Sequence, residues 1–199
     1  MTLIEYKGKK PIIEEKAYVS PNATLIGNII VKNNAVIWPS AILRAEYSPI
    51  VIGEYSTIFD GTVMFTKSEK YSINIGNYCI IETGSFIFGS YLEDYVVISR
   101  NVIIYENTSI GEGAIILNDS VIPPGQIISA RSVMKGDPAQ KVRDQSRNDV
   151  MKNKEMADHY SQLFVKIQNQ LPNAQPYMMT FNDFMKILLE NLIKEKKID

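Results

Sequence analysis

The chain has one cysteine, one histidine and one tryptophan in 199 residues, and the first two scarcities each remove a class of chemistry. Cys79 has no partner for an intramolecular disulfide and cannot supply a thiolate cluster, and His159 alone cannot make a polyhistidine metal centre. Basic surplus is missing too: 21 Lys and Arg stand against 22 Asp and Glu, so no nucleic-acid partner is expected. Apolar runs such as Ala114 to Leu117 are short, and none approaches the ~20 residues of a membrane helix. Met1 to Lys16 contains Glu5, Glu14 and Glu15 but no arginine, unlike a secretory signal or transit peptide. The expected location is the cytoplasm, with mitochondrial import lacking a recognisable presequence as the alternative.

What is present is a six-residue repeat. Aliphatic residues recur from Val19 through Leu25, Val31, Ile37 and Leu43, then at Ile52, Ile58 and Met64, then at Ile75, Ile81 and Ile87. After one five-residue step the series continues through Leu92, Ile98, Ile104, Ile110, Ile116, Ile122, Ile128 and Met134. Four residues after many of these stands a small residue, as at Ala23, Ala35, Ala41, Ser56, Thr62, Ser85, Thr108, Ala114, Ser120 and Ser132. Helical spacing of three and four, or the strict alternation of hairpins, fits this series less well. One large and one small inward position per hexad predicts a short strand and a bend, three of which close a triangular turn. Turns then stack at about 4.8 Å through parallel pairing, about six of them making a rod ~30 Å tall. The expected fold is mainly β, a parallel β-helix over residues 1–143, followed by C-terminal helices.

Several stretches are similar to the gamma-class carbonic anhydrases: Ala23-Thr24-Leu25-Ile26-Gly27-Asn28, Ile37-Trp38-Pro39-Ser40-Ala41-Ile42-Leu43-Arg44, Pro49-Ile50-Val51-Ile52-Gly53 and Ile58-Phe59-Asp60-Gly61-Thr62-Val63. The exit Val133-Met134-Lys135-Gly136-Asp137-Pro138-Ala139-Gln140-Lys141-Val142-Arg143 resembles the end of that family's coil. The resemblance implies a left-handed coil, a hand that the spacing alone does not decide because parallel crossovers are usually right-handed. It also implies a homotrimer, or a heterotrimer with related β-helix subunits, in which Arg44 and Asp60 pair across the interface. Glu46 stands where the family has aspartate.

The same alignment places the family's three zinc-binding histidines at Phe65, Thr83 and Phe88, and its assisting glutamine at Phe59. A catalytic zinc needs three lone-pair donors and an open position, and phenylalanine donates nothing. No metal and no cofactor are therefore expected, and Phe65 and Phe88 read as packing. Asp60, Glu46 and Glu82 are the oxygen donors near this region that a hard cation would have to use.

Beyond Arg143 the sixfold pattern stops. Ser146 and Asp149 resemble a helix start, and Met156, Tyr160, Leu163, Phe164 and Ile167 follow helical spacing, so residues 144–171 are expected to form a helix packed on the coil. Residues 172–199 read as a linker with Pro172 and Pro176, then an amphipathic helix. Its stripe of Phe181, Phe184, Met185, Leu188, Leu189 and Leu192 either packs on the coil or docks a larger complex.

The leading expectation from these residues is a non-catalytic, carbonic-anhydrase-like trimer serving as a structural or assembly subunit, of the kind found in mitochondrial complex I. A carbonic anhydrase with an atypical metal, and a module holding a small acid at Arg44, are the alternatives. A hexapeptide-repeat acyltransferase is placed last, because members of that group generally deprotonate the acceptor with a coil histidine, and this coil has none.

Overall fold

The computed structural model describes residues 1–169. From Thr2 to Gly136 the backbone winds into a parallel β-solenoid of about seven turns with three faces. All nineteen members of the sixfold aliphatic series, Val19 to Met134, point inward and are buried, most of them completely. Each fully buried aliphatic side chain contributes about 1.5–3 kcal/mol before chain entropy is subtracted. The small register is buried beside it, and its hydroxyls are satisfied by the neighbouring turn. Ser56 Oγ donates to Gly76 O (2.7 Å) and accepts from Cys79 N (2.9 Å), and Ser85 Oγ donates to Ser99 O (3.0 Å). A buried hydroxyl without such a partner would be costly, so small polar residues are tolerated where a carbonyl of the next coil lies within reach.

The first face stacks Tyr18–Val19, Val36–Ile37, Thr57–Ile58, Ile80–Ile81, Val97–Ile98, Ile115–Ile116 and Ser132–Gly136 in parallel register, and the antiparallel strand Ala139–Asp144 closes it. Seven strands leave six intervals of about 4.8 Å, a stack ~29 Å tall. The second and third faces form one continuous sheet because the long strands Thr24–Val31 and Ile42–Ile52 run on from one face to the next. Several bends need a left-handed residue. Asn34, Asn101, Asn107 and Asp119 supply it with φ of 61°, 58°, 62° and 59°, as short polar side chains do at little cost. Tyr55, Tyr78 and Tyr95 adopt the same conformation, and their rings stack up one corner at 4.7 and 5.6 Å, an aromatic gain that offsets the strain.

Helix α1 (Arg147–Asn169) covers the first face. Its start is a reciprocal cap, with Asp149 N donating to Ser146 Oγ (3.2 Å), and Ser146 N (3.2 Å) and Oγ (2.8 Å) donating to Asp149 Oδ2. Val150 sits on Gly113, where an added Cβ would meet Val150 Cγ2 at 2.6 Å. Ala157 is buried against Ile80 and Val97, Tyr160 meets Phe59 edge-on at 4.9 Å, and Ser161 Oγ donates to Asn34 O at 2.7 Å. Residues 170–199, with the Phe181, Phe184, Met185, Leu188, Leu189 and Leu192 stripe, lie outside the described residues.

Candidate functional site

The second face is built from strands running Thr24 to Gly27, Ile42 to Ala45, Val63–Phe65, Phe86–Phe88, Ile103–Ile104 and Val121–Ile122. Its outward residues fall into register as an apolar column of Ile42, Val63, Phe86, Ile103 and Val121. Ile42 and Phe86 remain 38% and 42% exposed, so within this chain the column is only partly covered.

The two edges of this face carry different chemistry. At the edge where the chain enters lie the turns holding Asp60 and Thr83, joined to their neighbours through Gly84 N→Asp60 O (3.2 Å) and Asn101 N→Thr83 O (3.1 Å). Burial pushes the Asp60 carboxyl above its usual range. Phe59 has turned away to the first face, where it stacks on Trp38 at 5.1 Å. Glu82 on the same edge reaches Arg100 at 3.9 Å.

At the opposite edge, where the strands end, Arg44 is in register with Phe65, and Phe65 with Phe88. Arg44 Cζ lies 4.8 Å from the centre of the Phe65 ring, its Nε is 3.9 Å from Glu46, and that Nε is buried without a hydrogen-bond partner. Phe65 and Phe88 meet edge to face at 4.9 Å, and Phe88 continues to Tyr105 at 5.7 Å. Into this cluster comes Lys67, whose Nζ lies 4.5 Å from the Phe88 centroid and 5.8 Å from those of Phe65 and Tyr105, and 3.7 Å from Glu106 Oε2. A cavity of about 120 Å³ opens beside it, lined by Lys67, Ser68, Tyr71, Phe88, Gly89 and Glu106.

The candidate residues therefore divide. Arg44, Glu46, Phe65 and Phe88 come together at one edge, while Asp60 and Thr83 sit at the other. Within one chain the Arg44 partner is Glu46. The three positions aligned with zinc histidines do not fit a metal, since two are phenylalanines in mutual contact and the third is a threonine across the face. Among the described residues no group of three or more His, Cys, Asp and Glu is placed to hold a metal ion. Lys67, Tyr105 and Glu106 were missed in the sequence because they interrupt no motif; the only signal was a lysine two positions after Phe65 and an aromatic one coil beyond Phe88.

Two other features lie away from this corner. A larger cavity of about 630 Å³ runs between the coil and α1, lined by Tyr95, Glu112, Ala130, Arg131, Arg147, Val150 and Met151, and it contains neither a histidine nor a nucleophile. His159 is exposed on α1 beside Tyr160, and Cys79 is fully buried, its thiol pushed up to about 12 by desolvation.

No family model matches the chain. It is 27% identical over 181 residues to the carnitine operon protein CaiE of Proteus sp., covering 88% of this chain and 89% of that one. Among solved structures it is similar to a hexapeptide transferase family protein from Anaplasma phagocytophilum, with 25% identity, a TM-score of 0.76 and coverage of 81% and 95%. A putative acetyltransferase from Bacillus cereus shares the fold at a TM-score of 0.74 and 24% identity, covering 81% and 98%. These likenesses support a hexapeptide-repeat left-handed β-helix with acyltransferase-like relatives.

They also correct the sequence reading. The non-catalytic, carbonic-anhydrase-like assembly subunit is overturned: the relatives are a carnitine operon protein and a hexapeptide transferase family protein. The missing histidines were given too much weight, because they argue against one zinc enzyme and not against the wider fold family. None of these three relatives bears a carbonic-anhydrase name. Bacterial relatives leave the mitochondrial alternative without support, and among the described residues no helix is long and apolar enough to cross a membrane.

Proposed function

We propose that this chain is an acyltransferase-like hexapeptide-repeat protein of the CaiE kind, acting on an acyl thioester at the Arg44, Phe65, Lys67 and Phe88 corner. The observation that carries the reading is a likeness running almost end to end, 27% identity over 88% of this chain and 89% of the carnitine operon protein. Hexapeptide-repeat β-helices commonly trimerise, and the column of Ile42, Val63, Phe86, Ile103 and Val121 is the surface offered to a second copy. Arg44 and Asp60 occupy opposite edges of that face, so a threefold arrangement sets the guanidinium of one copy against the carboxyl of the next. Pairing there would register the subunits more than it would stabilise them.

Acyl transfer requires a proton to leave the acceptor amine or hydroxyl while the thioester C–S bond breaks. With no histidine on the coil, Glu46 is the carboxylate assigned to accept that proton, and the neighbouring Arg44 guanidinium, 3.9 Å from it through Nε and with its side chain 39% exposed, is the cation assigned to a developing oxyanion. The test is a titration of the purified protein with acetyl and longer acyl thioesters of coenzyme A, followed by thiol release with amine and hydroxyl acceptors. Saturable binding is expected, with Glu46→Gln lowering turnover by about 10²-fold or more while leaving binding in place. Absence of binding to every thioester at millimolar concentration would overturn the proposal, and Phe86→Asp should convert the trimer to monomer by light scattering.

A further inference from the structure

We infer that the Phe65, Phe88 and Tyr105 cluster is a cage for a small methylated ammonium ligand, and that Lys67 occupies it in the free protein as an internal stand-in. Three rings lie within 6 Å of a single ammonium, at 4.5, 5.8 and 5.8 Å, the distance range in which ring quadrupoles attract a cation. Three ring faces around one charge exceed what packing of a surface lysine requires. The Phe65 and Phe88 edge-to-face contact and the Phe88 to Tyr105 tilt of 37° give the cluster a concave shape rather than a flat stack.

The counter-charge is already in place. Glu106 Oε2 is 3.7 Å from Lys67 Nζ, buried, and accepts no hydrogen bond. A carboxylate oxygen in that condition suits a cation that cannot donate hydrogen bonds, which is the property separating a methylated ammonium from a primary amine. The adjoining cavity of about 120 Å³ holds roughly four waters at ~30 Å³ each, the size of a trimethylammonium head. The ligand therefore does not need to squeeze past the rings; it needs Lys67 to leave.

Lys67 is free to do so. It belongs to the connection between Val63–Phe65 and Ile73–Ile75, and its side chain is 44% exposed. The connection itself is held: Ser48 Oγ lies 2.7 Å from Tyr71 O and 3.0 Å from Ser68 O, and Gly89, at φ +36°, admits Tyr71 so closely that a Cβ would meet it at 2.6 Å. Swinging one side chain outward thus opens the cage with the backbone, rings and Glu106 unmoved. On the far side of Phe65, the Arg44 guanidinium, its side chain 39% exposed and its buried Nε 3.9 Å from Glu46, offers its other N–H groups to an anionic group carried by the same ligand, so a zwitterion with both charges fits better than a bare cation.

The inference deepens the acyl-transfer reading by naming the ligand class at that corner, and rests on that reading only for what is then done to the ligand. Binding is measured without a thioester, so a silent transfer assay leaves the cage intact as a proposal, and a failed cage leaves acyl transfer intact. The probes are tetramethylammonium, glycine betaine and the uncharged isostere 3,3-dimethyl-1-butanol, added to the full chain and followed by NMR. In the unaltered protein, Lys67 side-chain protons should be shifted upfield by the rings and return to ordinary positions as tetramethylammonium saturates. Lys67→Ala should bind tetramethylammonium about tenfold more tightly, Phe88→Ala and Glu106→Gln should each lose about tenfold or more, and betaine should exceed tetramethylammonium unless Arg44 is changed to alanine. Circular dichroism and melting confirm that each variant folds. Should Lys67→Ala be unfolded, the Lys67 displacement in the unaltered protein decides alone. Lys67 resonances unmoved at 100 mM probe, or equal binding of the uncharged isostere, would overturn the cage.

Discussion

Replacing Ile128 by alanine should cost the fold about 2–4 kcal/mol, whereas the same change at the adjacent Ile127 should move stability by less than about 0.5 kcal/mol. The two residues share a strand and differ in the face they present: Ile128 is 3% exposed and Ile127 81% exposed. Ile128 is in register with Ile110 inside the coil, while Ile127 lies above Ser109, whose small side chain offers it little to pack on. Truncating isoleucine to alanine removes three carbons, about 2.4 kcal/mol of transfer energy at ~0.8 kcal/mol each. A cavity term is added on top, reduced here because this is the last strand of its face and can relax. Urea unfolding at one fixed protein concentration is the assay, since assembly would otherwise shift the midpoint by mass action. Equal losses for the two variants would refute the claim that burial inside the coil, rather than strand propensity or contact between copies, is what stabilises these residues.

Other consequences follow from single positions. Gly53→Ala would place a Cβ 2.2 Å from Gly76 O on the next turn, so it should unfold or severely destabilise the coil; Gly61→Ala meets nothing within 4 Å and should cost only the ~1–2 kcal/mol of a left-handed alanine, a difference readable as melting temperature. Cys79, with its thiol pushed up to about 12 by burial, should resist a thiol reagent at pH 8.5 in the native protein and react fully in denaturant. Fast native labelling would show that the coil opens there. Hydrogen bonds from Ser146 hold the Asp149 carboxyl below its usual range. Its contribution to α1 is thus present above the ordinary aspartate pKa and is lost as pH falls through the depressed folded value, so helical circular dichroism should decline on acidification in the native protein but not in Asp149→Asn. Ser146→Ala removes the other half of the cap and should cost about 1 kcal/mol at neutral pH.

The coil was legible residue by residue because a solenoid repeats one local problem. Each hexad must bury one large aliphatic and fit one small group where the wall turns, and Val19 through Met134 satisfy that condition without help from distant sequence. Helix α1 was legible for a similar reason, since the Ser146 and Asp149 cap is written within four residues. The candidate corner was less so. Phe65 and Phe88 were visible as departures from a family motif, but a departure states only what is missing. That reading overlooked the lysine the rings enclose and carried the function toward an inert subunit. Lys67 and Glu106 are 39 positions apart in the chain, and nothing local couples them.

Sequence alone determined the architecture, the inward column and the scarcity of histidine, because these depend on periodicity and composition, which are properties of the string. Only the tertiary structure decided that Asp60 and Thr83 face away from Arg44, Phe65 and Phe88, and that an ammonium, three rings and a half-buried carboxylate converge at one edge. Stacking turns at about 4.8 Å brings residues from separate coils into contact. Which outward side chains meet there depends on the register left by each insertion and on the path of the connecting loop, quantities that a repeat pattern averages away.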